Sequence, residues 1–311
     1  MIGAILAGGY GKRLKPLTDK LPKSLVEIKP GYTIMDRQLF DFKVMGISDI
    51  YILSGHLGEK IEERYGNHYN GLNLYYLKEE KPLGTLYSLR NLANEVTDDI
   101  VLRNGDIVTD INFKEFVNFS LHNNYGMTMF VTEMRSPYGI VDTLLDKVIN
   151  FKEKPYLNYY INAGIYLIKE NIIDYFYKDY NGKDIEVTIF PELARQGLIG
   201  AYKEKAFWVG VDSEKDLETL RLEYINREDR EWGYIKCIFE DDKKLVHEYF
   251  IKAGETVNVS EPYALIRFID GRGTINDRSE FYTSDYALEI KSSSRISAIE
   301  NTRLEVIKIK A

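Results

Sequence analysis

The sequence predicts an α/β domain built on a mostly parallel sheet, followed by a small all-β domain. Three observations carry that expectation. Short apolar runs alternate with helix-spaced apolar stripes through the first two thirds of the chain. Near residue 230 the pattern gives way to short strand-like segments with few helix signals. A basic, glycine-rich loop follows the first apolar run. Strand–helix alternation of this kind closes into a parallel sheet with helices on both faces. The expected domains are residues 1–230 and 231–311.

Taken in order, Ile2 to Leu6 is a strand that ends in the glycine loop. Met35, Leu39, Phe42 and Met45 recur at helical spacing, and Gly46 stops that helix. Ile50 to Leu53 is the next strand, and Leu57, Ile61 and Tyr65 form a second helical stripe. Leu74 to Leu77 is strand-like; Leu89, Leu92 and Val96 line a third helix. Ile100 to Leu102 is a buried strand running into Asn104-Gly105-Asp106. Ligands of such sheets sit beyond the C-terminal strand ends, so the glycine loop and Asp106 should share one cleft. Residues 213–228 read as a charged helix with Leu217, Leu220 and Tyr224 on one side. Beyond it, Ala264 to Ile269, Tyr286 to Ile290, Ile296 to Ile299 and the segment around Leu304, Val306, Ile307 and Ile309 are strand-like. Gly254, Gly271 and Gly273 mark turns. In the last segment the alternation slips between Val306 and Ile307, as a bulge or a buried stretch would allow.

Bulk properties exclude several classes. The 311 residues are 44% hydrophobic, enough for a packed core, and carry 41 basic against 48 acidic side chains, a net charge of −7. That balance argues against a nucleic-acid surface while leaving room for a small phosphate pocket. One cysteine, Cys237, supports neither a disulfide framework nor a Cys-rich zinc site. No apolar run reaches the roughly 18 residues a membrane span needs. The N-terminus does not read as a signal peptide. A cytoplasmic protein that does not associate with membranes is the expectation, with homo-oligomerisation left open.

The informative stretch is Leu6-Ala-Gly-Gly-Tyr-Gly-Lys-Arg-Leu-Lys-Pro-Leu-Thr18, followed by Leu21-Pro-Lys-Ser-Leu25. Gly8, Gly9 and Gly11 let the backbone approach a ligand closely, and successive N–H groups in such a loop form an anion-binding nest. Lys12, Arg13 and Lys23 add positive charge, which suits a triphosphate. The loop matches neither GxxxxGK[ST] nor GxGxxG.

This string resembles the signature of the sugar nucleotidyltransferase family, LxGGxGxRLxPLT…PKxL. So do Glu79-Glu-Lys-Pro-Leu-Gly-Thr85, Asn104-Gly-Asp106, Tyr138-Gly139, Glu153-Lys-Pro155 and Asn162-Ala-Gly-Ile-Tyr166, in the same order and spacing. The resemblance covers roughly residues 1–225. It implies a three-layer, Rossmann-like nucleotidyltransferase domain. It also implies a reaction in which a sugar 1-phosphate attacks a nucleoside triphosphate to give an NDP-sugar and pyrophosphate, with Mg²⁺ as cofactor. Positioning and charge neutralisation then carry the catalysis. By the same resemblance Arg13 and Lys23 are the catalytic cations, and Asp106 is catalytic and holds the metal. Leu6, Ala7, Gly8, Gly9, Gly11, Lys12, Glu79, Gly84 and Thr85 bind the nucleotide. Tyr138, Gly139, Glu153, Lys154 and Asn162 bind the sugar phosphate.

Two departures leave alternatives open. In Trp208-Val-Gly-Val-Asp-Ser-Glu-Lys-Asp216 the usual second metal aspartate is replaced by Gly210, and Asp212 lies two residues later. Residues two apart on a strand share a face, so Asp212 can serve as the second ligand, or it can merely precede a helix capped by Ser213 and Asp216. Glu79 stands where uridylyl and thymidylyl relatives carry glutamine. An ionised carboxylate only accepts hydrogen bonds, and guanine offers the adjacent N1–H and N2–H₂ donors. The segment resembles mannose- and heptose-1-phosphate guanylyltransferases, so GTP is the favoured nucleotide, against a Glu79 that points to solvent. Cytidylyl transfer, a catalytically silent sugar-nucleotide-binding regulatory subunit and a metal-dependent glycosyltransferase are the rival readings. The C-terminal domain resembles a cupin-like β-barrel at Ile251-Lys-Ala-Gly-Glu255 and Phe268-Ile-Asp-Gly-Arg-Gly-Thr274, but it offers only His247 where cupin metal sites use an HxH pair. A structural or oligomerisation role is expected of it.

Overall fold

The computed structural model describes residues 1–81, 83–260, 263–277, 287–290 and 293–310. Two compact units divide after Leu217. In the first, an eight-stranded sheet runs in the spatial order His68–Tyr69, Leu72–Lys78, Asp49–Ser54, Ile2–Ala7, Ile100–Asn104, Tyr156–Ile168, Met127–Arg135 and Ile199–Lys203. Four of the pairings are parallel, including both pairings of Ile2–Ala7; the long strand Tyr156–Ile168 runs antiparallel to each of its neighbours. Alternate residues of the central strands enter two separate cores. Ile5, Ile50, Ile52 and Val101 pack with Met35, Leu39 and Phe42 of the helix Ile34–Val44 and with Ile61 and Tyr65 of Glu59–Tyr65. Ala4, Leu53, Ile100 and Leu102 pack with Leu86, Leu89 and Leu92 of Thr85–Glu95 on the other face. The period-two strand pattern meeting helical stripes on both faces gives the three layers that the sequence predicts.

The helix limits differ in three places from the sequence reading. Leu57 has φ 58° and lies before the helix Glu59–Tyr65, so its place in the apolar stripe is not a helical one. Val96 is extended and ends Thr85–Glu95 rather than extending it. The charged helix covers Glu214–Tyr224 and not the stretch to 228; Asn226 turns with φ 55° and Arg227–Arg230 is a strand.

The second unit is all antiparallel strand beyond that helix. A six-stranded sheet takes the order Arg227–Arg230, Gly233–Glu240, Lys244–Ile251, Thr302–Ile309, Ala264–Asp270, Ala287–Ile290, and a three-stranded sheet pairs Thr256–Val259, Ser294–Ala298 and Gly273–Ile275. Inward residues such as Ile251, Val259, Ile266, Phe268, Ile296 and Leu304 form its core. Gly273 begins a strand instead of marking a turn. The last strand pairs with Lys244–Ile251 in unbroken register through Val306 and Ile307, so the slip seen in the sequence is no bulge; Ile307 and Ile309 fall on the outer face, and Ile309 is exposed. Tyr286, expected to open a strand, lies outside the described residues, as does Pro82 of the segment that begins at Glu79. No helix among the described residues is long and apolar enough to cross a membrane.

Candidate active site

The central strand Ile2–Ala7 has parallel neighbours on both sides, in register Leu6 with Asn104 and Ala7 with Ser54. The chain leaves these neighbours in opposite directions, which opens a crevice at their C-terminal ends. Two adjoining cavities occupy it. The first, about 310 Å³, is lined among others by Leu6, Ala7, Gly8, Glu79, Gly84 and Thr85. The second is lined by Gly11, Lys12, Arg13, Leu14 and Asp212, and both share Gly9, Lys23 and Asp106. Every nucleotide, catalytic and metal position expected from the sequence therefore lines one cavity or the other.

The glycine loop is shaped by close packing. Gly11 sits at φ 58°, its carbonyl accepts the Thr18 hydroxyl at 2.7 Å, and a Cβ there would meet Thr18 Cγ2 at 2.8 Å. Beside it, Gly9 has nothing within 4 Å of where a Cβ would lie, so its surface is open to the cavities it lines.

The charged centre is a small network. Lys23 Nζ donates to Asp106 Oδ2 at 2.7 Å and to Asp212 Oδ1 at 2.9 Å, and Arg13 Nη2 pairs with the same Asp212 oxygen at 2.9 Å. Lys23 is 15% exposed, whereas the two carboxylates are 32% and 43% exposed. The short strands Ile107–Thr109 and Trp208–Gly210 pair antiparallel with Gly210 opposite Ile107, and Val211 N–H donates to Asp106 O at 2.9 Å. That pairing brings Asp212 to Asp106 and explains how a carboxylate two residues past Gly210 reaches the centre. Asp216 caps the following helix: its Oδ2 accepts Ser213 N–H at 2.8 Å and Asp212 N–H at 3.1 Å. Asp212 thus precedes a capped helix and also joins the charged centre. Two carboxylates converging on one ammonium form an oxygen donor set that suits a hard cation whose remaining ligands are water and phosphate. No cluster of three or more His, Cys, Asp or Glu side chains suited to a metal occurs among the described residues.

At the far end of the first cavity, Glu79 is partly buried and accepts the Ser88 hydroxyl; its other oxygen receives Leu83 N–H at 3.5 Å. Lys78 is instead engaged by Glu62. Gly84 has φ 98°, and a Cβ there would stand 2.4 Å from Lys183 O. The Thr85 hydroxyl receives Ile185 N–H at 2.9 Å. The 183–186 segment therefore walls the cavity through Lys183, Asp184 and Glu186. Sequence reasoning missed these three because the segment carries no motif and lies about a hundred residues from Gly84 and Thr85, the helix start it meets; it also missed Ser24 and Ser88.

The remaining expected residues lie in two places. Tyr138, Gly139, Glu153 and Lys154 stand at the base of a hairpin of Ile140–Leu144 and Lys147–Lys152, all of whose strand residues are exposed. A Cβ on Gly139 would meet Phe151 at 2.6 Å and Glu153 Oε2 at 3.1 Å; Lys154 Nζ lies 3.6 Å from Glu153. Asn162 donates to the buried Tyr166 hydroxyl at 2.8 Å, and its carbonyl oxygen accepts Gly164 N–H at 3.0 Å. Burial pushes the Tyr166 hydroxyl well up, so it stays neutral. None of these five expected residues lines the two cavities above.

Comparison with known proteins identifies the family. A family model described as nucleotidyl transferase matches residues 2–227. The chain belongs to that family. Among its relatives, a mannose-1-phosphate guanyltransferase of Yarrowia lipolytica is 34% identical over 233 residues, covering 70% of this chain and 62% of the relative's length. A mannose-1-phosphate guanylyltransferase catalytic subunit beta of Xenopus tropicalis is 29% identical over 251 residues, covering 76% and 68%. HddC from Yersinia pseudotuberculosis complexed with GMP-PN superposes with a TM-score of 0.56 at 23% identity, over 72% of this chain and all of HddC. A UDP-glucose pyrophosphorylase complexed with UDP-glucose superposes at 0.58 with 17% identity, over 72% of this chain and 98% of that one. These superpositions speak to the fold of the first unit. Enzymes of the family use a divalent metal.

Proposed function

We propose that this protein is a sugar-1-phosphate guanylyltransferase, acting on GTP and mannose 1-phosphate or a heptose 1-phosphate. The observation that carries the reading is Lys23 bridging Asp106 and Asp212 at the seam of the two cavities, with a hydrogen-bonded glutamate at the far end of one. The relatives named mannose-1-phosphate guanyltransferase support it.

In this reading a phosphate oxygen of the sugar 1-phosphate attacks the α-phosphorus of GTP. The P–O bond to the β-phosphate breaks, and pyrophosphate leaves with its electron pair. Asp106 and Asp212 would hold Mg²⁺, which neutralises charge on the reacting phosphates when bound. Lys23 and Arg13 supply positive charge fixed in advance of the reaction, the kind of donor that stabilises charge as it develops. The backbone of Gly8, Gly9 and Gly11, with Lys12, cradles the triphosphate. Glu79 reads guanine through N1–H and N2–H₂, with Ser88 holding the carboxylate in place. Gly84 and Thr85 line the base side, and Leu6 and Ala7 the floor. Tyr138, Gly139, Glu153, Lys154 and Asn162 receive the sugar phosphate.

The test is pyrophosphate release with Mg²⁺ from GTP, CTP, UTP, dTTP and ATP, each against mannose, glucose and heptose 1-phosphates. Release that needs both substrates and prefers GTP is expected. Preference for CTP would overturn the role of Glu79, and nucleotide binding without release from any pair would overturn the catalytic reading.

A further inference from the structure

The loop that carries Asp106 rests on a buried amide. Gln38 belongs to the helix Ile34–Val44 and is fully buried. Its Nε2 donates to Asn104 O at 3.0 Å and to Ile107 O at 2.9 Å. These carbonyls stand on either side of Gly105 and Asp106, so one NH₂ group ties together both ends of the turn. The orientation of the amide is fixed by chemistry: two acceptors face it, and only the nitrogen end can donate. Its Oε1 has no partner among the described residues. Leaving a buried acceptor unsatisfied costs stability, so a residue chosen for packing alone would be apolar here.

The rest of the turn is held in the same manner. Arg103 Nη2 donates to Ile107 O at 3.1 Å and Arg37 Nη2 to Thr109 O at 3.1 Å, both guanidiniums being buried around Asp41. Gly105 N–H donates to Leu6 O at 2.9 Å, and a Cβ at Gly105 would stand 2.6 Å from that oxygen. Among these restraints the Gln38 amide alone reaches a carbonyl on each side of Asp106.

We propose that Gln38 is a positioning residue for the metal-holding carboxylate. It acts through the backbone of the Asp106 turn and touches no substrate. The inference rests on the reading of Asp106 as a metal ligand given above. Partners that orient a ligand from behind typically change metal affinity or activity by about 10–100-fold when removed.

The test compares Gln38→Met, close in length and unable to donate, with Phe42→Leu, a purely apolar change one turn along the same helix. Three readouts are taken at matched distance below each variant's melting temperature: Mn²⁺ binding by electron paramagnetic resonance with no turnover, amide hydrogen exchange of residues 104–107, and pyrophosphate release. The expected result for Gln38→Met is Mn²⁺ affinity and kcat each lower by about 10–100-fold, faster exchange in 104–107, and an unchanged KM for the sugar phosphate. Phe42→Leu changes none of these beyond its loss of stability. Equal behaviour of the two variants overturns the proposal. If Gln38→Met does not fold, Gln38→Asn, with its donor one methylene short of bridging both carbonyls, gives the same comparison. Absence of pyrophosphate release in the unmodified protein would instead overturn the transferase reading; hydrogen exchange then decides the clamp alone, supporting it if 104–107 loosens only in the Gln38 variants and overturning it otherwise.

Discussion

Replacing Lys23 by methionine should move metal binding and turnover in opposite directions. Lys23 Nζ lies 2.7 Å from one Asp106 oxygen and 2.9 Å from one Asp212 oxygen, so the two oxygens are at most about 5.6 Å apart, and about 5 Å at an ordinary open angle between the two hydrogen bonds. At that separation two unit charges repel by about 0.8 kcal/mol at the dielectric of water and about 3 kcal/mol at an effective value near 20. Both carboxylates are about a third exposed or more, so the lower figure governs. Without the ammonium that repulsion is unrelieved at Asp106 and only partly relieved at Asp212, which keeps Arg13 Nη2 at 2.9 Å. A divalent ion then gains roughly a factor of four in affinity. Turnover goes the other way, because the reacting phosphates lose one fixed cation. Removing a single preorganised donor of this kind costs about 10²–10³ in kcat. The assays are Mn²⁺ titration by electron paramagnetic resonance and pyrophosphate release at saturating Mg²⁺. Weaker Mn²⁺ binding in the variant would refute the electrostatic argument. A kcat within about tenfold of the parent would refute the catalytic role of Lys23.

Other positions give sharper or simpler tests. Glu79→Gln replaces a pure acceptor with an amide that also donates, so base preference in pyrophosphate release should shift from GTP toward UTP or dTTP; an unchanged preference removes Glu79 as the reader. Gly9→Ala puts a methyl group into open space, so its melting temperature should match the parent while KM for the nucleotide rises; equal KM values would mean that no phosphate approaches this backbone. Gly84→Ala meets both φ 98° and Lys183 O, and should lose about 1–3 kcal/mol in urea unfolding of the first unit. Asp41→Leu removes the carboxylate shared by buried Arg37 and Arg103, and a loss of about 3–5 kcal/mol is expected by the same measurement; a neutral result would mean that Asp110 and the backbone carbonyls suffice for both guanidiniums.

What could be read from the sequence was what neighbouring residues encode. The glycine loop, Lys23 and Asp106 lie in short strings whose spacing survives folding, and the strand-end rule places them in one crevice. Helical stripes located the helices, but Leu57 and Val96 extend the apolar spacing past the true ends, because a half-buried apolar side chain just outside a helix looks the same in sequence as one inside it. The antiparallel strand Tyr156–Ile168 inside the sheet, and the exposed hairpin before it, left no comparable periodic mark. The acidic wall at Asp184 and Glu186 depends on packing of Thr85 against a segment a hundred residues away, which no local pattern records. Asp212 was ambiguous for the same reason: only the pairing of Trp208–Gly210 with Ile107–Thr109 decides where it lies.

That pairing also makes the charged centre wait for the last of its residues in chain order. Arg13, Lys23 and Asp106 emerge early, and their balance is one positive charge. Asp212 follows only after a further stretch as long as the first, carried in by a strand that has its partner waiting at Ile107–Thr109. Until then the residues of the centre include two cations and a single carboxylate; with Asp212 carried in beside Asp106, two cations face two anions and the four charges balance.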